Sequence, residues 1–199
     1  MLEFVILDNG SLVDILRGGP SAIQALEAQT QRVLVTSTVI DELPSQFKPD
    51  FDNWVNSSNK FRYQKTPQVA APGSQAGDAS IRWTEEKYGI LAAGDARLLS
   101  QERGLINWAN KISESDRFDG AFLTPLGLYN ESLYAHYITG DQYNDLVEGL
   151  YASGRIEHNY PKEYRSLALS PEEVRYWTEL SPQLEAGLEA SGFSVLGVK

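Results

Sequence analysis

Apolar positions along the chain fall into short continuous runs that alternate with stretches of helical spacing. Phe4–Leu7 (FVIL) is an apolar run of strand length, closed by the polar turn residues of DNGS. SLVDILRGG then takes up a helical period and stops at Gly18-Gly19. Pro20-Ser21 open a second helix, PSAIQALEAQT, with Ile23 and Leu26 on its apolar side. Arg32–Thr36 (RVLVT) predicts the second strand. Ser37 or Thr38 is placed to cap a short helix, STVIDELPS, which Pro44 ends. Residues 45–77 show no clear period; part is compatible with helix, and PQVAAPGSQAG reads as a loop. DASIRWTEEKYG predicts the next helix, ending at Gly89, and ILAA (Ile90–Ala93) the third strand. DARLLSQERG predicts a helix from Asp95 to Gly104, while GLINW fits a strand or a helix equally. TPLGLYNESLYAHYITG and DQYNDLVEGLYASG predict two short amphipathic helices. SPEEVRYWTELSPQLEAGLEASG adds a helical region, and FSVLGV a strand. Strand–helix alternation of this kind predicts an α/β fold with a mainly parallel sheet.

In such a sheet the ends of strands and the starts of helices gather along one edge. Asp8 follows FVIL, Asp95 follows ILAA, Asp78 opens its helix, and the Asp41-Glu42 pair lies just behind RVLVT. Helix neighbours differ by roughly 100°, so one of Asp41 and Glu42 faces the cleft. The spacing from Thr38 to Asp41 suits a capping box, which favours Glu42 for the cleft and leaves Asp41 as the alternative. Carboxylates gathered in one cleft repel unless a cation holds them. Mg²⁺ or Mn²⁺ takes such hard oxygen ligands, and its chemistry is to activate water and relieve charge on a phosphodiester. The competing reading is capping, since Asp8, Asp78 and Asp95 all sit at expected helix starts.

Other charged positions divide similarly. Asp14, Glu85 and Glu86 are expected on solvated helix faces. KFRYQK alternates basic and aromatic residues, so Lys60, Arg62 and Lys65 are candidates for gripping an RNA backbone, with Arg97 close behind Asp95. The bland alternative is an amphipathic segment whose aromatics enter the core. Tyr129, Tyr134, Tyr137 and Tyr151 recur at roughly helical spacing and are expected to pack, and His136 is expected to be structural.

Charge and composition narrow the classes. The 199 residues carry a net charge of −10, which argues against a general nucleic-acid binder. The first hundred residues hold 9 Lys and Arg against 12 Asp and Glu; the remainder hold 8 against 15. The half bearing the acidic constellation is therefore the less acidic, and the other half reads as a solvated or partner-facing surface. The chain has no cysteine and 2 histidines, which excludes disulfides and thiolate zinc sites. No run approaches the roughly 20 apolar residues of a membrane span. MLEFVILDNG lacks a basic stretch, so no signal peptide is expected and the cytoplasm is the expected location.

The order of these motifs resembles the PIN-domain nucleases over about residues 3–105. ILDNGSLVDILRGG resembles the opening strand with its first metal-site acid, here Asp8. VTSTVIDEL resembles the capped helix that carries the second acid, here Glu42. GDASIRWTEEKYGILAAGDARLL resembles the third and fourth motifs, giving Asp78 and Asp95. Where the family often carries Ser or Asn two positions after the first Asp, this chain has Gly10, leaving Asn9 or Ser11 as polar support. The Ser or Thr common before the last acid is replaced by Ala93-Gly94. The resemblance implies a three-layer α/β/α sandwich over residues 1–158, with a C-terminal helical extension over 159–199. It implies a Mg²⁺- or Mn²⁺-dependent endoribonuclease with Asp8, Glu42, Asp78 and Asp95 as catalytic metal ligands. Prokaryotic members of this kind are often homodimeric toxins silenced by an antitoxin. A different class, a catalytically silent interaction module whose acids are helix caps, is the alternative. An aspartyl-nucleophile phosphatase would need Asp-x-Asp after the first strand, and Asp8-Asn9-Gly10 lacks it.

Overall fold

A computed structural model describes residues 2–65, 76–112, 122–154, 169–175 and 178–179. Five strands, β1 (Leu2–Leu7), β2 (Thr30–Thr36), β3 (Phe61–Gln64), β4 (Ala96–Leu99) and β5 (Phe122–Leu123), form one sheet in the order β3-β2-β1-β4-β5. All four pairings are parallel, with Val5 of central β1 opposite Val33 on one side and Arg97 on the other. A central strand of a parallel sheet is covered on both faces, which is why FVIL shows no alternation: Val5, Ile6 and Leu7 are fully buried.

The helices are α1 (Asn9–Gln29), α2 (Ser37–Asp41), α3 (Lys48–Ser57), α4 (Ala76–Tyr88), α5 (Arg103–Ile112), α6 (Pro125–Tyr134) and α7 (Gly140–Ala152). α1, α6 and α7 pack on one another, while α2 packs on α4 and α4 on β2. This division of helices about a parallel sheet is compatible with a three-layer α/β/α fold. The break expected at Gly18-Gly19 is a kink within α1: Gly19 takes φ 62°, ψ −147°, and Pro20 restarts the helix. Thr124 caps α6, and Thr139 with Gln142 forms a capping box on α7.

Five expectations are corrected. The third strand is not ILAA but ARLL, and the helix expected from Asp95 is that strand followed by α5, so GLINW is helical. Ala96–Leu99 are all buried between β1 and β5, whereas Ala92 and Ala93 are exposed. The turn between α4 and β4 is fixed by Glu85, whose carboxylate accepts hydrogen bonds from the backbone N–H of Leu91 (2.8 Å) and Ala92 (3.0 Å). Glu85 is therefore buried rather than solvated, and so is Asp14; Glu86 is exposed as expected. The cap of α2 is Thr36, one residue before the two candidates. The stretch without a period contains α3 and β3, joined by edge-to-face contacts among Phe51, Trp54 and Phe61 with centroids 5.3–6.4 Å apart.

Most of the expected PQVAAPGSQAG loop, the boundary at 158/159 and the FSVLGV strand lie outside the described residues. Among the described residues no helix is long and apolar enough to cross a membrane.

Candidate acidic site at the sheet edge

Because all strands run the same way, their C-terminal ends share one edge, and Asp8 and Ser100 stand there directly behind β1 and β4. Asp8 is almost fully buried. One carboxylate oxygen accepts from Ser11 N at 2.6 Å and caps α1; the other accepts from Ser100 Oγ. Ser100 Oγ in turn accepts from the backbone N–H of Glu102 at 2.9 Å. Asp8, Ser100 and Glu102 are thus one linked unit at the head of α5.

Glu42 closes α2, and its Oε1 accepts from Gly77 N at 3.0 Å. Gly77 makes room for that carboxylate, since a Cβ there would stand 2.7 Å from Glu42 Oε2. Asp78 follows in the first turn of α4, half-buried, and its carboxyl is pushed up from 3.8 to about 6. Burial is the main cause, followed by the negative charges of Asp8 and Glu102 and, more weakly, Glu42; Arg82 opposes them. Asp8, Glu42, Asp78 and Glu102 therefore share one electrostatic neighbourhood. Of the Asp41-Glu42 pair, Glu42 faces α4 and Asp41 is exposed.

Asp95 does not join them. It is exposed and precedes β4, and its carbonyl accepts from Phe4 N near the start of β1, at the opposite edge of the sheet. The displaced strand explains this: moving the strand from ILAA to ARLL exchanges Asp95 for Ser100 and Glu102 at the acid edge. The signal was present in LLSQERG, an apolar pair followed by Ser and an acid, but it lay inside a segment read as helix.

The supporting candidates separate as well. Ser11 Oγ is buried beside Asp8 with no hydrogen-bond partner, while Asn9 is half-buried. Lys60 lies at the far edge, where its Nζ donates to the carbonyls of Glu27 and, at 2.9 Å, Thr30. Arg62 donates to the carbonyls of Asn59 (3.1 Å) and Phe61 (2.7 Å). Arg97 is buried and pairs with Glu131 at 3.0 Å. All three cations make contacts within the fold, Arg62 while remaining exposed. Lys65, exposed behind β3, is the one of the four at the acid edge.

All-oxygen, carboxylate-rich surroundings fit Mg²⁺ or Mn²⁺ rather than a softer metal. Among the described residues, however, no three acidic or histidine side chains stand together as a ready direct cage for one ion. The donor set therefore fits a cation held by one or two carboxylates and its own waters, the usual habit of Mg²⁺. The chain matches no family model, no curated protein and no solved structure.

Proposed function

We propose that the chain is a Mg²⁺- or Mn²⁺-dependent endoribonuclease of the PIN-like kind, hydrolysing RNA phosphodiester bonds at the edge formed by Asp8, Glu42, Asp78 and Glu102. The observation that carries this reading is that the charges of three carboxylates from other chain segments, Asp8, Glu102 and Glu42, are felt at Asp78, whose half-buried carboxyl is pushed up to about 6 chiefly by burial. Excess negative charge at a strand-end edge is stabilised when a cation binds there. A bound divalent ion would polarise the phosphate and lower the pKa of a water, held through its own waters by one or two carboxylates, Asp8 and Glu102, which Ser100 links.

The chain's own groups take distinct roles in this reading. Asp8 is locked by two hydrogen bonds and supplies a fixed negative charge. Asp78 holds a proton more readily than an ordinary carboxylate and suits the acceptor of a proton from the attacking water near neutral pH. Glu42 fixes the start of α4, and Ser100 ties Glu102 to Asp8. The resemblance extends the proposal to a homodimeric toxin with an antitoxin partner.

The second reading, a silent interaction module, is favoured by the structural work these acids already do, Asp8 capping α1 and Glu42 receiving Gly77 N. Melting with and without Mn²⁺ separates the two. For the nuclease, Mn²⁺ at a hundred times its Kd adds about 2.7 kcal/mol and raises Tm by roughly 5–10 °C. Asp8→Asn removes that rise together with cleavage of an RNA pool. A parent protein whose Tm ignores millimolar Mn²⁺ is the silent module.

A further inference from the structure

Next to the acidic edge lies a cation that the fold holds in place but does not use. Arg82 stands one turn beyond Asp78 on α4, a rise of about 6 Å. Its guanidinium lies over the ring of Trp108 of α5, 4.9 Å from the centroid. Arg82 lowers the proton affinity of Asp78 through space. Yet it makes no hydrogen bond and no ion pair, and the indole N–H of Trp108 is likewise unused among the described residues. Both side chains are half-buried, so each keeps a face open to solvent.

A guanidinium stacked on an aromatic ring is oriented at little cost in entropy, and its N–H fork stays available at the edges. That fork matches phosphate bidentately. Guanidinium planes and aromatic rings are also the two platforms on which unpaired bases stack. The carboxylates one turn away disfavour an isolated anion. A strand that sets one phosphate on Arg82 and presents its neighbour to a cation at the acids meets both demands.

We propose that Arg82 and Trp108 form a docking point for a phosphate and the adjoining base of single-stranded RNA, one nucleotide away from the acidic edge. The identity of the ligand rests on the nuclease reading. The pair also accounts for how a chain of net charge −10 would hold RNA: by one oriented contact beside the site rather than a basic surface.

The test is binding of a short fluorescent oligouridylate without divalent metal, using the full chain carrying Asp8→Asn. Arg82→Gln and Trp108→Leu are each expected to weaken binding roughly 10-fold. Arg82→Gln also flattens the salt dependence by about 0.7 in slope, the share of one single-strand phosphate, and Trp108→Leu leaves the slope alone. Trp108→Phe keeps a ring for stacking and guards against a folding defect, with far-UV circular dichroism as the control. Variants that bind as tightly as the parent, or lower only Tm, overturn the docking point and mark the pair as packing between α4 and α5. The Mn²⁺ melting shift is read separately on the native chain. A normal shift with unaffected RNA binding sinks the docking point alone; no shift, with binding that depends on Arg82, sinks the nuclease reading alone.

Discussion

Asp78 concentrates the electrostatics of the edge in one side chain. Its carboxyl titrates at about 6 in the fold against 3.8 outside it, chiefly through burial and then through Asp8 and Glu102. The folded state thus holds a proton that the unfolded chain has released between these two values. The stability tied to that proton is fully present below about pH 3.8 and is lost as pH rises through 6. Asp78→Asn removes the loss, so the variant should gain on the parent as pH climbs from 4 to 7. Because the side chain is half-exposed, solvent screening reduces the gain to about 1 kcal/mol at pH 7. Parallel urea titrations at pH 4 and pH 7 measure it, and an equal offset at both would refute the electrostatic account. The same proton competes with a cation, so Mn²⁺ stabilisation of the parent should fade below pH 6. None of this was legible from the residue itself, because Asp at a helix start reads first as a cap.

Among elements, the turn from α4 into β4 decides where the acidic edge is built. Two apolar tetrapeptides, ILAA and ARLL, compete for the role of third strand, and local pattern alone does not rank them. The tertiary structure does, through a carboxylate: Glu85 binds the N–H groups of Leu91 and Ala92, and Gly94 at φ 75° completes the turn. Strong periodic elements were readable because their signals are local, as with the Gly19 break in α1 and the amphipathic run DQYNDLVEGLYASG of α7. β3 and the two-residue β5 were not, since their strand character comes from neighbours distant in sequence. Glu85→Ala should strand the N–H groups of Leu91 and Ala92, at a cost of about 3 kcal/mol for the pair. A fall in Tm of roughly 6–12 °C is expected by scanning calorimetry. A change under 2 °C would show that the turn holds its shape without Glu85.

Across the whole molecule, the parallel order β3-β2-β1-β4-β5 turns sequence position into spatial edge, and this supplies the sharpest comparison between two acids. Asp95 and Glu102 stand on either side of β4, so the strand's length separates them onto opposite edges of the sheet. Glu102 hangs from Ser100, which binds Asp8, and its charge is felt at Asp78; Asp95 has no such link. The α/β class and three of the four acids followed from the sequence because Asp8, Glu42 and Asp78 adjoin elements with clear local signals. The fourth depended on which four residues form a strand, a question settled only by burial against β1 and β5. Glu102→Gln should therefore abolish the Mn²⁺-induced rise in Tm and lower RNA cleavage roughly 10- to 100-fold, the loss expected when a group around a metal site is altered. Asp95→Asn, made in the same background, should leave both within experimental error. The two are equally isosteric, and both residues are exposed, so neither is expected to disturb folding. If Asp95→Asn abolishes the cation effect and Glu102→Gln does not, the strand register or the cation reading is wrong.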